Sequence, residues 1–314
     1  MIVVLTGGTG GAKFVQGLAA VSPARELTVV VNTGDDLTWW GLHVSPDLDS
    51  ITYALADMLS RERGWGVEGD TFHCLDAMRR MGARGWFQLG DRDLATHVRR
   101  TELLSANRTL SEVTTEISRA LGIEARILPM SDDRVETKVL SADGELSFQE
   151  YFVRERYQVP VRGVRFKGVE RSRPAAGVLE AIAGGEAVVI APSNPVTSIG
   201  PILAVPGIRE ALHQTAAPVA AVSPIIGGAA VSGPAGELMH TQGLSVSVAG
   251  IARCYGDFLD LLIADQRDST LGSRVEGVAI RYASTLMKSE ADKTTLARSV
   301  LEFLRERPVE AAAS

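Results

Sequence analysis

The fold is decided by Ile2-Val3-Val4-Leu5-Thr6, then Gly7-Gly8-Thr9-Gly10-Gly11, then Ala12-Lys13-Phe14. The apolar run reads as a buried strand, the glycines as a hinge and the residues beyond as the start of a helix. Such a unit leaves backbone N–H groups free at the helix start and aims the positive end of the helix dipole forward. An anion, most often a phosphate, suits that place. Glycines let it come close to the backbone, and Lys13 adds a full charge. Phosphate or nucleotide contacts are therefore expected at Gly8, Thr9, Gly10, Gly11 and Lys13. The spacing matches neither common phosphate loop. From Gly8 it runs G-T-G-G-A-K, with Lys13 where the dinucleotide fingerprint has its last glycine, and no G-K-[ST] occurs. The competing reading is a tight strand-to-helix turn.

Leu27-Thr28-Val29-Val30-Val31 is a second buried strand, and with the first it forms a βαβ unit and so a parallel sheet. Ligands of such sheets sit off the carboxyl ends of the strands, so the tip Asn32-Thr33-Gly34-Asp35-Asp36 should face the same crevice as the glycine turn. Asn32, Asp35 and Asp36 are site candidates there, or simply turn formers. Ser45-Pro46-Asp47-Leu48-Asp49-Ser50 then leads into a helix with apolar residues at 51, 54, 55, 58 and 59. Asp47 and Asp49 fit as caps of that helix, and a carboxylate here fits a divalent metal equally well. Mg²⁺ usually takes one or two protein carboxylates and binds phosphate oxygens besides, a number that Asp36 and Asp49 would supply.

The chain has 314 residues, 45% hydrophobic and 22% charged, which describes a globular protein with a large core. Its net charge of −6 argues against nucleic acid as a partner. Cys74 and Cys254 form no paired motif, as in a cytoplasmic protein with reduced thiols. The first residues already form a strand, so no leader peptide is expected. The apolar run 217–231 is too interrupted by Pro218, Pro224 and glycines to span a membrane.

From Ile51 to Leu121 the pattern is almost all helix. Asp70 is expected to cap a helix through Met81, Gly90-Asp91-Arg92-Asp93 to open another, and Thr109-Leu110-Ser111-Glu112 to form a capping box. Strands return at Ala125–Met130, in a hairpin of Val135–Leu140 with Glu145–Val153, at Arg162–Lys167, Ala187–Ala191, Val219–Val222 and Leu259–Ala264. Pro174–Ala183 and Glu290–Arg307 read as helices, and residues 308–314 as a frayed tail. The tips Pro192–Pro201 and Ser223–Pro234 follow apolar strands and are dense in Gly, Pro, Ser, Asn and Thr. They suggest walls of a polar pocket, with Ser193, Asn194, Thr197, Ser198, Gly227 and Gly228 as further phosphate or nucleotide contacts. The expected fold is α/β, a Rossmann-like, mostly parallel sheet with an inserted helical subdomain: residues 1–50 and 122–314 form the core and 51–121 the insertion.

No serine–histidine–aspartate set, nucleophile elbow or metal-spaced histidine pair stands out. Backbone donors, hydroxyls, a few cations and paired aspartates suit phosphoryl transfer, in which positioning and charge stabilisation do most of the work. An aspartate such as Asp49 could take the acceptor's proton. Read together, TGGTGGAK (6–13), VVVNTGDD (29–36), SPDLDS (45–50), LGDRDLATH (89–97), LPMSDD (128–133), PSNPVTSIGP (192–201) and SPIIGGAAVSGPAG (223–236) resemble the CofD family over essentially the whole chain. These are the 2-phospho-L-lactate transferases of coenzyme F-420 biosynthesis, and the bacterial branch uses phosphoenolpyruvate instead.

The resemblance implies an enzyme whose acceptor is FO, a deazaflavin with a ribityl chain. Its donor is GDP-activated 2-phospholactate or phosphoenolpyruvate, supplied by a guanylyltransferase. GMP leaves, the product is (dehydro) coenzyme F-420-0, and Mg²⁺ offsets the diphosphate charge. FO contacts are implied at Asp49 and at residue 88, where Gln88 replaces the lysine or arginine of the family pattern. Asn32, Trp39 and Arg92 join them as candidate FO contacts, with the Trp39-Trp40 pair expected to be exposed and to stack on the deazaflavin. Asp36 and Asp49 are the candidate catalytic and metal-binding residues. A cytoplasmic homodimer without membrane or nucleic-acid contacts is expected. The alternative is a nucleotide-sugar-binding regulatory protein of the gluconeogenesis-factor (YvcK-like) kind. LGDRDLATH and Trp39-Trp40 favour the transferase. A nicotinamide dehydrogenase is disfavoured by Lys13 and by the lack of an acid directly ending the second strand.

Overall fold

The computed structural model describes residues 1–231, 233–271 and 275–306. Strand β1 (Ile2–Thr6) turns into helix α1 (Gly8–Val21), and β2 (Leu27–Val31) follows. A short hairpin, β3 (Leu37–Trp39) and β4 (Leu42–Val44), leads to α2 (Pro46–Leu55), α3 (His73–Arg80), α4 (Asp93–Ser105) and α5 (Leu110–Ala120) before β5 (Arg126–Pro129). Strands β6 (Glu136–Ser141), β7 (Gly144–Ser147) and β8 (Gly163–Lys167) form a small antiparallel sheet. The chain continues through α6 (Val178–Gly184), β9 (Ala187–Ile190), α7 (Gly200–Ala204), α8 (Ile208–Gln214) and β10 (Val219–Val222). A second hairpin, β11 (Ile225–Ile226) and β12 (Ala229–Ala230), precedes α9 (Ala235–Thr241), α10 (Val248–Tyr255), β13 (Leu261–Asp265), β14 (Ala279–Ala283) and α11 (Glu290–Arg305).

The central sheet has the order β14-β13-β10-β9-β1-β2-β5, and its pairs are all parallel. It is an α/β fold, as the βαβ reading requires. Helices cover both faces, which is why the strands are apolar throughout rather than alternating. Val4, Val29 and Val31 join Phe14, Leu18, Ile51, Leu296 and Val300 on one side. Val3, Leu5 and Val30 join Val188, Ile190, Ile182 and Ile251 on the other. Successive residues of β1 thus feed opposite layers, as the two-residue strand period dictates.

Several expectations change. The boundary drawn at residue 50 falls inside α2, whose Leu48 and Ile51 belong to the same apolar layer as α1. Residues 56–72 are turns closed by a Leu59–Val67 bridge, not helix. Asp70 does not cap α3. Its carboxylate accepts the N–H groups of Arg92 (2.8 Å) and Asp93 (3.0 Å) at the start of α4, while Asp91 accepts those of His73 and Cys74 (both 2.9 Å) at the start of α3. The two helices thus exchange caps, a pairing that local spacing does not reveal. The capping box at Thr109 and Glu112 is present. The strand expected over Glu145–Val153 ends at Ser147, and Glu150–Arg154 is a π-helical turn. The Pro174–Ala183 helix begins only at Val178, and α11 ends at Arg305. Residues 308–314, expected as a tail, lie outside the described residues. Among the described residues no helix is long and apolar enough to cross a membrane.

Candidate active site

From β1 the chain builds outward to β2 and β5 on one side, and to β9, β10, β13 and β14 on the other. The direction reverses between β1 and β9. Loops leaving the carboxyl ends diverge at such a point, and a cavity of about 880 Å³ opens there. The glycine turn and the loop Pro192–Ser198 lie along it. The segment between β2 and β5 supplies Asp35, Asp47, Asp49, Tyr53, Trp65, Trp86, Gln88, Asp93 and His97 to its lining. Phe148, Phe152 and Arg156 come from the small-sheet lobe, and Thr285 to Lys288 from the loop after β14.

The glycine turn is only partly open. Gly8 has φ +69°, a left-handed conformation that favours glycine. Its N–H does not await a ligand, because Asp47 Oδ1 accepts it at 2.8 Å. Gly7, Gly8, Thr9, Gly10 and Lys13 line the cavity. Gly11 is packed: a Cβ there would stand 1.9 Å from Thr6 Oγ1 and 2.9 Å from Ser193 Oγ. A Cβ on Gly10 would stand 2.7 Å from the Pro192 carbonyl oxygen. These two glycines admit a protein loop rather than a phosphate. Lys13 is half-buried and makes no ion pair among the described residues.

Opposite the turn stands a cluster of aspartates whose members differ in their partners. Asp35 and Asp47 face the cavity at 5% and 7% exposure. Burial, with Asp47 beside it, pushes the Asp35 carboxyl well above its ordinary value, and Asp35 Oδ1 is buried without a partner. Burial also raises Asp47 to about 6, although Asn32 and the Gly8 N–H bond it. Among the described residues neither has a cationic partner. Asp36, by contrast, takes bonds from the Ser45 hydroxyl and from His43 Nε2 (3.0 Å). Asp49 is held by both Nη atoms of Arg100. Of the pair expected to hold Mg²⁺, Asp49 has both oxygens engaged by Arg100, while Asp36 keeps a buried Oδ1 without a partner among the described residues. Asp35 and Asp47, buried and with no cationic side chain beside them among the described residues, are the alternative candidates for a metal.

Other candidates move as well. Asn32 is fully buried. Its Nδ2 donates to Asp47 (2.9 Å) and to the Thr197 carbonyl (3.3 Å), and its Oδ1 accepts the Gly34 N–H (2.8 Å), so it braces the site rather than meeting a ligand. Trp39 is 2% exposed, inside a cluster with Trp86 and Phe87, so the expected exposed tryptophan pair does not exist. The cavity aromatics among the described residues are instead Tyr53, Trp65, Trp86, Phe87, Phe148 and Phe152. Arg154, two residues beyond Phe152, lies 5.9 Å above the Trp86 ring and bridges the two walls. Arg92 is exposed and bonds the Glu68 carbonyl; it does not reach the cavity. Gln88 does. Ser193, Asn194, Thr197 and Ser198 all line the cavity, and Thr197 Oγ1 is buried without a partner. Gly227 and Gly228 give their N–H groups to Asp268 (3.0 and 2.8 Å), so a carboxylate of the protein already fills their anion position. A spacing signal for the missed residues was present. Asp93, His97 and Arg100 stand at i, i+4 and i+7 of α4 and share one face.

Comparison with known proteins shows the family and the fold. The family model described as 2-phospho-L-lactate transferase CofD matches residues 2–301. A 2-phospho-L-lactate transferase of Methanosarcina mazei is 44% identical over 303 residues, 96% of this chain and 99% of its own. A phosphoenolpyruvate transferase of Streptomyces griseus is 45% identical over 313 residues, 97% and 98% of the two chains. Among solved structures, a UPF0052-family protein from Bacillus halodurans superposes with a TM-score of 0.63 at 17% identity, covering 96% of this chain and 98% of its own, and so shares the fold.

Proposed function

Because the chain belongs to the CofD family of 2-phospho-L-lactate transferases, we propose that it moves a phosphorylated three-carbon acid from a GDP-activated donor to the terminal ribityl hydroxyl of FO. The hydroxyl oxygen forms a bond to the phosphorus bearing the acid, the bond from that phosphorus to GMP breaks, and the hydroxyl proton is lost. The acid is 2-phospholactate or phosphoenolpyruvate, the two named for relatives of equal similarity.

The observation that carries this reading is the mixed lining of one cavity. It includes Lys13 and Lys288, both without ion-pair partners among the described residues, and the hydroxyls of Ser193, Thr197 and Ser198. These groups suit a diphosphate. The same lining carries aromatic rings, which suit a fused heteroaromatic ring, and the carboxylates of Asp49 and Asp93, which suit the hydroxyls of a polyol. Mg²⁺, held by Asp35 and Asp47, would neutralise diphosphate oxygens.

The test is a coupled assay with FO, Mg²⁺, GTP, a guanylyltransferase and either acid, read by mass spectrometry. An FO adduct with one acid identifies both activity and donor. No adduct with either, together with tight binding of a UDP-sugar, would replace the transferase by the regulatory reading.

The metal assignment gives a prediction independent of turnover. A carboxyl whose folded value is raised, as Asp47 is from 3.8 to about 6, favours folding below 3.8. That contribution is lost as pH rises from 3.8 through about 6. Mg²⁺ should relieve the resulting charge. We expect millimolar Mg²⁺ to raise the Tm by a few degrees at pH 7.5 and by much less at pH 5, where protons compete. Equal shifts at both pH values in thermal melts would remove Asp35 and Asp47 as ligands.

A further inference from the structure

Between α2 and α4 runs a buried chain of polar groups in which only Asp49 and Asp93 have been given a role so far. Arg100, at 3% exposure, donates from its two Nη atoms to the two oxygens of Asp49, with Nη1 3.3 Å from Oδ2. The same Nη1 is 3.4 Å from His97 Nδ1. A guanidinium only donates, so Nδ1 is the acceptor and the imidazole carries its proton on Nε2. His97 Nε2 lies 3.2 Å from Asp93 Oδ1. That oxygen also accepts the Tyr53 hydroxyl at 2.6 Å. Burial, with Asp49 and Asp93 beside it, keeps the Tyr53 phenol protonated and therefore a donor. Burial also opposes the Asp93 charge, but His97 beside it, the bond from Tyr53 and the Arg100 guanidinium outweigh it and hold that carboxyl below its ordinary value.

Arg100 fixes Asp49 and approaches His97 Nδ1, the Tyr53 hydroxyl bonds Asp93, and His97 Nε2 stands at ion-pair distance from Asp93 without hydrogen-bond geometry. Both carboxylates line the cavity. A carboxylate offers about four acceptor positions; Arg100 uses two on Asp49, and Tyr53 uses one on Asp93. Among the described residues no further side-chain donor bonds either carboxylate.

We propose that Arg100 and His97 are positioning residues that hold Asp49 and Asp93 as a matched pair of hydrogen-bond acceptors for vicinal hydroxyls of the acceptor's polyol chain. This rests on the acceptor reading above. The pair orients the chain so that its terminal hydroxyl meets the donor phosphorus, and specificity for a hydroxylated side chain resides here. A ligand with the same ring and no hydroxyls leaves both carboxylates unmatched.

The test measures equilibrium binding without turnover. FO fluorescence would be titrated with wild type, Arg100→Lys, Arg100→Met, Arg100→Ala, His97→Gln and Tyr53→Phe. GDP binding to the same samples would serve as the second readout. A lysine keeps the charge but loses the planar fork. We expect FO affinity to fall about tenfold in Arg100→Lys and His97→Gln, about 100-fold in Arg100→Met and a few-fold in Tyr53→Phe. GDP affinity should be unchanged throughout. Added guanidinium at low millimolar concentration should restore part of the FO affinity of Arg100→Ala, an effect that simple destabilisation does not produce. Should the Arg100 variants fail to fold, His97→Gln and Tyr53→Phe decide the matter. Folded variants that bind FO as wild type does would overturn the positioning role and leave the transferase reading intact. Equal losses of FO and GDP binding would also overturn it, since they report a damaged fold. Wild type that does not bind FO removes the acceptor reading and this inference with it.

Discussion

Asp47→Asn should lower turnover at saturating Mg²⁺ by at least about 100-fold, the scale of removing one preorganised electrostatic contact. The reason is geometric as well as electrostatic. Asp47 Oδ1 accepts the Gly8 N–H at 2.8 Å and Oδ2 accepts Asn32 Nδ2 at 2.9 Å, so the carboxylate ties the α1 start to the β2 tip. An asparagine amide would turn its own donor toward one of these donors. Asn32 cannot compensate by flipping, because its Oδ1 already accepts the Gly34 N–H. The substitution also removes one of the two unpaired carboxylates assigned to the metal. Loss of the buried charge offsets part of the lost bonding, so the metal-free variant should melt within a few degrees of wild type. Its Tm should no longer respond to Mg²⁺. Asp36→Asn is the matched control. That carboxylate serves His43 and Ser45, so the variant should keep a Mg²⁺ response close to wild type. The opposite ranking in melts and in steady-state rates would return the metal to Asp36.

The second large effect is expected at Gly11. Alanine normally improves a helix interior by about 1 kcal/mol over glycine. Here its methyl group would stand 1.9 Å from Thr6 Oγ1 and 2.9 Å from Ser193 Oγ. Thr6 is fully buried and belongs to β1, so it cannot withdraw without moving the central strand. Overpacking of this kind costs about 1–3 kcal/mol or more and reverses the propensity gain. We expect Gly11→Ala to destabilise by about 2 kcal/mol and lower the Tm by about 3 °C. Activity should fall further than stability alone explains, because Ser193 Oγ donates to the Gly7 carbonyl at 2.7 Å and its displacement moves the turn. Gly184→Ala, where a Cβ would meet nothing within 4 Å and φ is not left-handed, should be neutral. Equal melting of the two variants would show that the β1–α1 turn has slack that its contacts do not suggest.

The sheet, the turn and the family motifs were legible because they are local. Buried parallel strands are written as unbroken apolar runs, and a βαβ unit fixes the sheet as parallel whatever lies farther along. The strand ends alone therefore place Gly8, Lys13, Ser193 and Ser198 around one crevice. Residue type gave no such help with the aspartates. Asp35, Asp36, Asp47 and Asp49 look alike in a loop. Only packing gives Arg100 to Asp49, His43 and Ser45 to Asp36, and no cation to Asp35 or Asp47. The aromatic wall moved for the same reason. Trp39 and Trp40 are conspicuous in the sequence, yet Trp39 is drawn into an apolar cluster, and Trp65, Trp86, Phe148 and Phe152 reach the cavity from segments whose sequences do not mark them. Asp70 and Asp91 each cap the other's expected helix because a cap requires only a carboxylate in space, not the preceding residue in the chain. By itself, then, the sequence determined the strand–turn–helix frame and the inventory of groups around it. Which carboxylate is paired, which glycine admits a loop and which ring meets the cavity were decided by tertiary structure. Those properties depend on desolvation and on which partners packing brings together, such as Arg100 on Asp49 from 51 residues away, and neither is encoded in any local pattern.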